Sequence, residues 1–463
     1  MRFLQVILAG ICLSAGAHAA TLPADVVKAL KQARIPLSAV GIEVREVNAS
    51  TPILSVNAKQ PMNPASTMKL LTTYAGLEIL GPAHTWKTEA FLGGRLEKGV
   101  LYGDLIFKGS GNPKLTLEQF WLWLNELQDR GLSEIRGNLV LDRSTFETVP
   151  HDPAAFDNDP IRPYNMGPDA LLLNFNALRL RFIPDGQQIK VFSEPKLSGI
   201  VLDNRLNVAA VQGECSNWED AISVRFNHDA LLLKGAFPVQ CGEREQYYSL
   251  MSHTKYVYAV FRALWQEMGG KLSGTAVAGE LPVGAILFST HTSAPLSELI
   301  RDINKFSNNV MARQLFLSLG ADAGPASISR SEQAMKNWLE SKKLRFPELV
   351  LENGAGLSRL ERISSHNMAM LLQKAQQSPL SAEFEASLPI IGVDGTLKKR
   401  LNGSSASNHA HLKTGSLEGV KAVAGYVQSR SGKQWVMVFL INHPNASAGQ
   451  QAQDALIEWL QRR

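Results

Sequence analysis

The stretch Pro64-Ala65-Ser66-Thr67-Met68-Lys69-Leu70-Leu71-Thr72-Thr73 places a serine at the start of a helix and a lysine one turn later. Residues three apart are neighbours on a helix surface, so Lys69 lies over Ser66. Met68, Leu71, Ala75 and Ile79 recur at helical spacing, and Gly81-Pro82 stops the helix near Leu80. A fold that accepts this segment must bury one face of the helix and leave its Ser66 end exposed. A serine hydroxyl is a poor nucleophile at its own pKa. An amine kept neutral by burial or by other cations can take its proton, and a helix N-terminus favours negative charge on the attacked group.

The chain has 463 residues, enough for two or three domains with their own cores. Its 47 basic and 42 acidic residues are spread without a long basic run, which does not imply nucleic acid. Weak attraction to an anionic polymer such as a cell wall stays open. The first 20 residues read as a signal peptide: Arg2, an apolar run over 3–13, and Ala17-His18-Ala19 as the cleavage site. The run is too short to span a bilayer, so the expectation is an exported, periplasmic protein cut near Ala19 or Ala20. Of three cysteines, Cys12 leaves with this segment. Cys215 and Cys241 then predict one disulfide, stabilising by roughly 3 kcal/mol on the chain-entropy model. Two unpaired thiols are the alternative.

Along the chain, residues 40–47 read as a half-buried strand and 53–56 as its hairpin partner. From 86 to about 287 the pattern is strand-rich, with helices at 117–130 and 256–268. Within it, Gly109-Ser110-Gly111-Asn112-Pro113 reads as a turn rather than a phosphate cradle, and 145–168 as a linker or surface loop. Helices are predicted at 296–305, 309–319, 334–342, 365–376 and 382–388. A hairpin of 420–428 and 434–442 precedes a last helix, 450–461. The apolar stripe of that helix suits packing on a sheet; at most it supports peripheral membrane association.

Three short elements carry chemistry: Ser66-x-x-Lys69, Ser307-Asn308-Asn309 and Lys413-Thr414-Gly415-Ser416. Alone, each is weak. Ser-x-x-Lys recurs at Ser193, where Pro195 breaks the helix, and at Ser252, which precedes a good helix and stands on pattern alone. Together the three supply a nucleophile and base (Ser66, Lys69), a hydroxyl that passes a proton to a leaving amine (Ser307), and an amide that holds a peptide bond (Asn309). They add a cation beside both (Lys413) and a strand, Thr414 to Ser416, that binds substrate backbone closely at Gly415. Backbone N–H groups of Ser66 and Ser416 can form an oxyanion hole, worth roughly 3–4 kcal/mol per donor. His409 and His411 make an H-x-H pair with no third ligand, so neither metal nor cofactor is assigned.

The segments P-A-S-T-M-K-L-L-T-T, F-S-N-N-V-M-A and H-L-K-T-G-S-L resemble the three motifs of the penicillin-recognising serine enzymes. More narrowly, the chain resembles the class C low-molecular-mass penicillin-binding proteins, the DacB-type D-alanyl-D-alanine carboxypeptidase/endopeptidases. Residues 108–113, 353–359 and 388–397 also match that family, and Pro-Ala-Ser-Thr-x-Lys selects Ser66 over Ser252. The resemblance implies an α/β (α+β) catalytic domain of transpeptidase/β-lactamase type, an antiparallel sheet flanked by helices, carrying two inserted strand-rich modules. The interval 307 − 66 = 241 residues leaves room for them. The expected division is 21–85 with 288–463 as catalytic domain, 86–165 with 251–287 as one insert, and 166–250 as the other. The resemblance further implies peptidoglycan peptides as substrates and β-lactam antibiotics as covalent ligands. A β-lactamase or esterase with the same site, and a non-catalytic wall-binding protein, are the alternatives. One departure is Ala355, where the family often has serine.

Overall fold

The computed structural model describes residues 21–148, 151–209, 215–322 and 324–463. The expected signal peptide and Cys12 lie outside them. One five-stranded sheet organises the two ends of the chain. Its spatial order is Ala410–Leu417, Val420–Gln428, Gln434–Asn442, Val40–Glu46, Leu54–Val56, and all its pairings are antiparallel. In the strand Gln434–Asn442, alternate residues point to opposite faces. Val436, Val438 and Leu440 join a core under the helices Met68–Ile79, Leu296–Lys305, Asn309–Ser318 and Ser365–Gln376. Trp435, Met437, Phe439 and Ile441 join a second core under Ala24–Gln32 and Gln450–Gln461. The last helix therefore packs on the sheet as expected, burying Ala452, Leu456, Ile457 and Leu460. No helix among the described residues is long and apolar enough to cross a membrane.

Burial departs from the sequence reading at two central elements. The strand Val40–Glu46 is covered on both faces, not one. Val40, Ile42 and Val44 face one core, while the other face carries Glu43 and Arg45, 1% and 2% exposed. This pair is buried because it is fully partnered. Arg45 Nε donates to Glu43 Oε1 at 3.0 Å, Arg45 Nη1 donates to Gln373 Oε1 at 3.0 Å, and His366 Nδ1 lies 3.0 Å from Glu43 Oε2. The helix Met68–Ile79 is likewise buried on every side from Met68 to Leu77. Its polar residues survive there through hydrogen bonds: Thr72 Oγ1 donates to Gly354 O at 2.6 Å and Thr73 Oγ1 to Lys69 O at 2.7 Å.

Residues 87–292 build the strand-rich part. A seven-stranded mixed sheet carries the helices Leu117–Asp129 and His253–Glu267 on a core of Phe107, Phe120, Trp123 and Phe261. Its strand Ile286–Thr292 runs across the boundary expected at 288. Two three-stranded sheets from residues 178–248 enclose a separate core around Phe182, Trp218 and Phe237, and the Cys215–Cys241 disulfide lies beside it. Residues 151–168 form the surface loop expected there, and its end is packed onto the helix Asn309–Ser318. Arg313 Nη1 donates to Met166 O at 2.7 Å, and Asn165 is buried. Residues of 151–168 and of 352–360 together wall a cavity of about 370 Å³ beside Arg313.

Candidate active site

Ser66 sits in a single 3₁₀ turn, Ala65–Thr67, that feeds the α-helix from Met68. Ala65 holds φ +46°, a left-handed conformation that costs a residue with a Cβ of order 1–3 kcal/mol. Neighbours over-determine it. Ala65 N donates to Asn63 Oδ1 (2.9 Å), Asn63 Nδ2 to Ser358 O (2.8 Å), and Asn63 and Asn442 exchange two backbone-to-amide bonds. Asn442 ends the central strand Gln434–Asn442, so the turn is fastened to the sheet. Gly356 and Gly415 close in around it. A Cβ at 356 would lie 1.9 Å from Ala65 O, and one at 415 would lie 2.8 Å from Pro64 O and 2.9 Å from Ser66 N. Gly415 thus permits the strand to approach the Ser66 turn; its missing side chain faces that turn, not free space for a substrate.

Lys69 Nζ lies 3.0 Å from Ser66 Oγ and 2.5 Å from Asn309 Oδ1, and also donates to Ala355 O. The side chain is wholly buried. Burial above all, then the charge of Lys413, hold its pKa well below the usual lysine value; Glu361 pulls it up, and Arg313 adds a smaller downward push. A neutral amine has two N–H donors and one lone pair. Asn309 Oδ1 and Ala355 O can only accept, so the lone pair is left for the Ser66 hydroxyl proton. The family's departure at Ala355 leaves this bond intact, because the contribution is a backbone carbonyl.

Ser307 and Asn309 come from the junction between helices Leu296–Lys305 and Asn309–Ser318. Ser307 holds φ +56°, and the side chain of Asn308 caps the second helix by accepting Met311 N–H at 3.0 Å. Lys413 Nζ donates to Ser307 Oγ and to Thr414 O, each at 2.9 Å. It stands in the edge strand Ala410–Leu417, wholly buried, and burial lowers its pKa to about 7. Ser66, Ser307, Thr414 and Ser416 line one cleft of about 480 Å³. The residues predicted from three separate motifs therefore meet, although 241 and 106 positions separate 66 from 307 and 307 from 413.

Sequence reasoning missed several residues that hold this arrangement. Thr396 Oγ1 is 3.0 Å from Thr414 Oγ1 at the cleft. Lys305 Nζ binds Leu388 O (2.9 Å) and Asp394 Oδ2 (2.6 Å), which pins the 388–397 segment beside Ser307. Glu361 is fully buried, and its Oε1 accepts the backbone N–H groups of Glu352, Asn353 and Gly354 at 3.0–3.1 Å. It thereby shapes the turn that presents Ala355 O to Lys69. Resemblance had marked the segments 353–359 and 388–397, but a lone glutamate after the first carries no periodic signal.

The rival serines are placed differently. Ser252 is the N-cap of His253–Glu267 and accepts Lys255 N–H at 3.4 Å, while Lys255 Nζ pairs with Asp229 at 2.8 Å. Ser193 lies in the strand Gln188–Glu194, and Lys196 reaches towards Glu267 at 3.8 Å. His411 Nδ1 lies 3.3 Å from Glu385 O. Among the described residues no three His, Cys, Asp or Glu side chains gather in a metal-holding group.

With this geometry in view, similarity to known proteins is informative. The chain is 27% identical over 412 residues to the D-alanyl-D-alanine carboxypeptidase DacB of Haemophilus influenzae, covering 88% of this chain and 85% of that protein. It is 26% identical over 439 residues to the D-alanyl-D-alanine carboxypeptidase of Actinomadura sp., covering 91% and 81%. The crystal structure of penicillin-binding protein 4 (dacB) from Haemophilus influenzae superposes with TM-score 0.79 at 25% identity, over 94% of this chain and 99% of that one. The family profile matches residues 22–463, and the chain belongs to the D-Ala-D-Ala carboxypeptidase 3 (S13) family.

Proposed function

We propose that the protein is an exported serine-type D-Ala-D-Ala carboxypeptidase, with DD-endopeptidase activity on cross-links, acting on peptidoglycan stem peptides through an acyl-enzyme on Ser66. The observation that carries this reading is the wholly buried Lys69 amine, 3.0 Å from Ser66 Oγ, with its two donors occupied by carbonyl oxygens. Lys69 takes the hydroxyl proton as Ser66 attacks the penultimate D-alanine carbonyl. Backbone N–H groups of Ser66 and Ser416 receive the oxyanion; the edge position of the Ala410–Leu417 strand supports this, since an edge leaves ladder groups unpaired. Ser307, bonded to Lys413, passes a proton to the departing amine. Asn309, Thr414, Gly415 and Ser416 hold the peptide. Water then releases the acyl group. β-Lactams acylate the same serine and stay, because the opened ring remains on the leaving-group side.

The disulfide and the 2–19 targeting pattern support export to an oxidising compartment. The separate apolar cores at 87–292 and 178–248 support the division into a discontinuous catalytic domain with two inserts. The test is release of D-alanine from a stem pentapeptide and opening of a cross-linked dimer. Wild type should do both and Ser66→Ala neither. Rapid nitrocefin turnover without D-alanine release would point to a β-lactamase, and wall binding with no hydrolysis to a non-catalytic protein; either refutes the reading.

A further inference from the structure

The cleft carries charge that the acyl-transfer steps leave unused. Beside Ser66, Ser307 and Thr414, its walls include Lys399, Arg400 and Lys421, but neither Lys69 nor Asn309. Ser307 and Lys413 face the departing amine in the proposed mechanism, so this space holds the leaving group rather than the acyl chain. Lys421 is directly opposite Ser416 in the strand ladder, and such partners share a face. It is half-buried; burial first, then Arg400, makes its ammonium harder to keep charged, and Asp454, itself held by Arg400, pulls the other way.

The carboxylates nearby are engaged. Arg400 Nε binds Asp454 Oδ1 at 2.5 Å, Lys305 holds Asp394, and Arg359 reaches Glu418 at 3.6 Å. Lys399 and Lys421 have no ion pair among the described residues. A terminal D-alanine brings one carboxylate, which the hydroxyls of Thr414 and Ser416 and the charge of Lys413 can take. About 480 Å³ is far more than an alanine fills.

Resting on the serine reading above, we propose that Lys399 and Lys421 form a second anion subsite on the leaving-group side. It takes a carboxylate of an extended acidic leaving group beyond the one next to the leaving nitrogen, as the rest of a second stem peptide can supply. The chemistry is unchanged: the same amide bond breaks, and the leaving nitrogen takes its proton by way of Ser307. What changes is selection, which shifts from single D-alanine towards acidic, cross-linked leaving groups.

Two synthetic donors with one acyl part test this, one losing D-alanine and the other D-2-aminoadipate, whose side chain adds a second carboxylate. In the Lys399→Gln/Lys421→Gln double variant, kcat/KM on the aminoadipate donor should fall about tenfold, the size of one charge-assisted contact. The D-alanine donor and penicillin G acylation should fall by no more than about threefold, which also reports folding. The exposed Lys399→Gln alone should show a smaller loss in the same direction. Equal losses on both donors, or no loss on the aminoadipate donor, overturn the subsite while leaving the serine reading in place. A wild type that takes no penicillin adduct at Ser66 overturns that reading, and the subsite with it.

Discussion

The chain holds Ser-x-x-Lys twice at the mouth of a helix, and the two copies differ in everything but spacing. At Ser252 the hydroxyl caps the helix His253–Glu267, and Lys255 turns away to Asp229 and over the Phe226 ring, 4.7 Å from its centroid. Its side chain is 36% exposed. At Ser66 the hydroxyl caps nothing, and Lys69, wholly buried, meets two carbonyl oxygens and the serine. An amine desolvated between acceptors and facing a second buried lysine gives up its proton far more readily than a lysine in water. Spacing brings lysine over serine; surroundings decide whether the pair can react.

The largest expected effect separates the copies outright. Ser66→Ala should lose all covalent labelling by fluorescent penicillin with unchanged thermal unfolding, while Ser252→Ala labels like wild type. Lys69→Ala should slow acylation roughly a thousandfold, within the usual range for a lost general base, and Lys255→Ala about twofold or less in stopped-flow acylation. Were the two lysines to cost the same, the contrast in burial would explain nothing.

Acidity sharpens the contrast. Acylation should fall as acid protonates Lys69. It should fall again as pH rises through about 7, where Lys413 loses the charge that burial already disfavours. Lys413→Arg stays charged, so its pH–rate profile should lack the alkaline limb. Glu361→Gln removes an anion that raises the Lys69 pKa while keeping an oxygen for the 352–354 N–H groups, so the acid limb should move to lower pH. The smallest effect belongs to the ordinary copy. Ser252→Ala should cost about 1 kcal/mol in urea unfolding, the price of an N-cap, with no change in acylation.

How far the sequence carries depended on whether a feature is local. The hairpin 420–428/434–442 and the helices at 296–305 and 365–376 follow from periodicity and turn residues, and their bounds agree with the structure. The helix Ala24–Gln32 has apolar Val26, Ala29 and Leu30 at helical spacing, but nine residues gave a short window. The strand Val201–Ala209 is not legible, because Asp203, Asn204, Arg205 and Asn207 break the alternation of its apolar residues and it is largely exposed, held by parallel pairing to Ala230–Pro238. At the site, Ser66, Lys69, Ser307, Asn309 and Lys413 were legible because their side chains are chemically telling in short motifs. Glu361, Thr396 and the Asn63–Asn442 clasp were not. Each acts through a partner far along the chain, and a single sequence does not show that pairing.

Intact-mass measurement after penicillin G, followed by peptide mapping of the adduct, addresses the central claim most directly. One penicilloyl group on the peptide containing Ser66, absent in Lys69→Ala on the same timescale, is the expected result. An adduct on the Ser252 peptide, or one on Ser66 that forms as fast without Lys69, would contradict it.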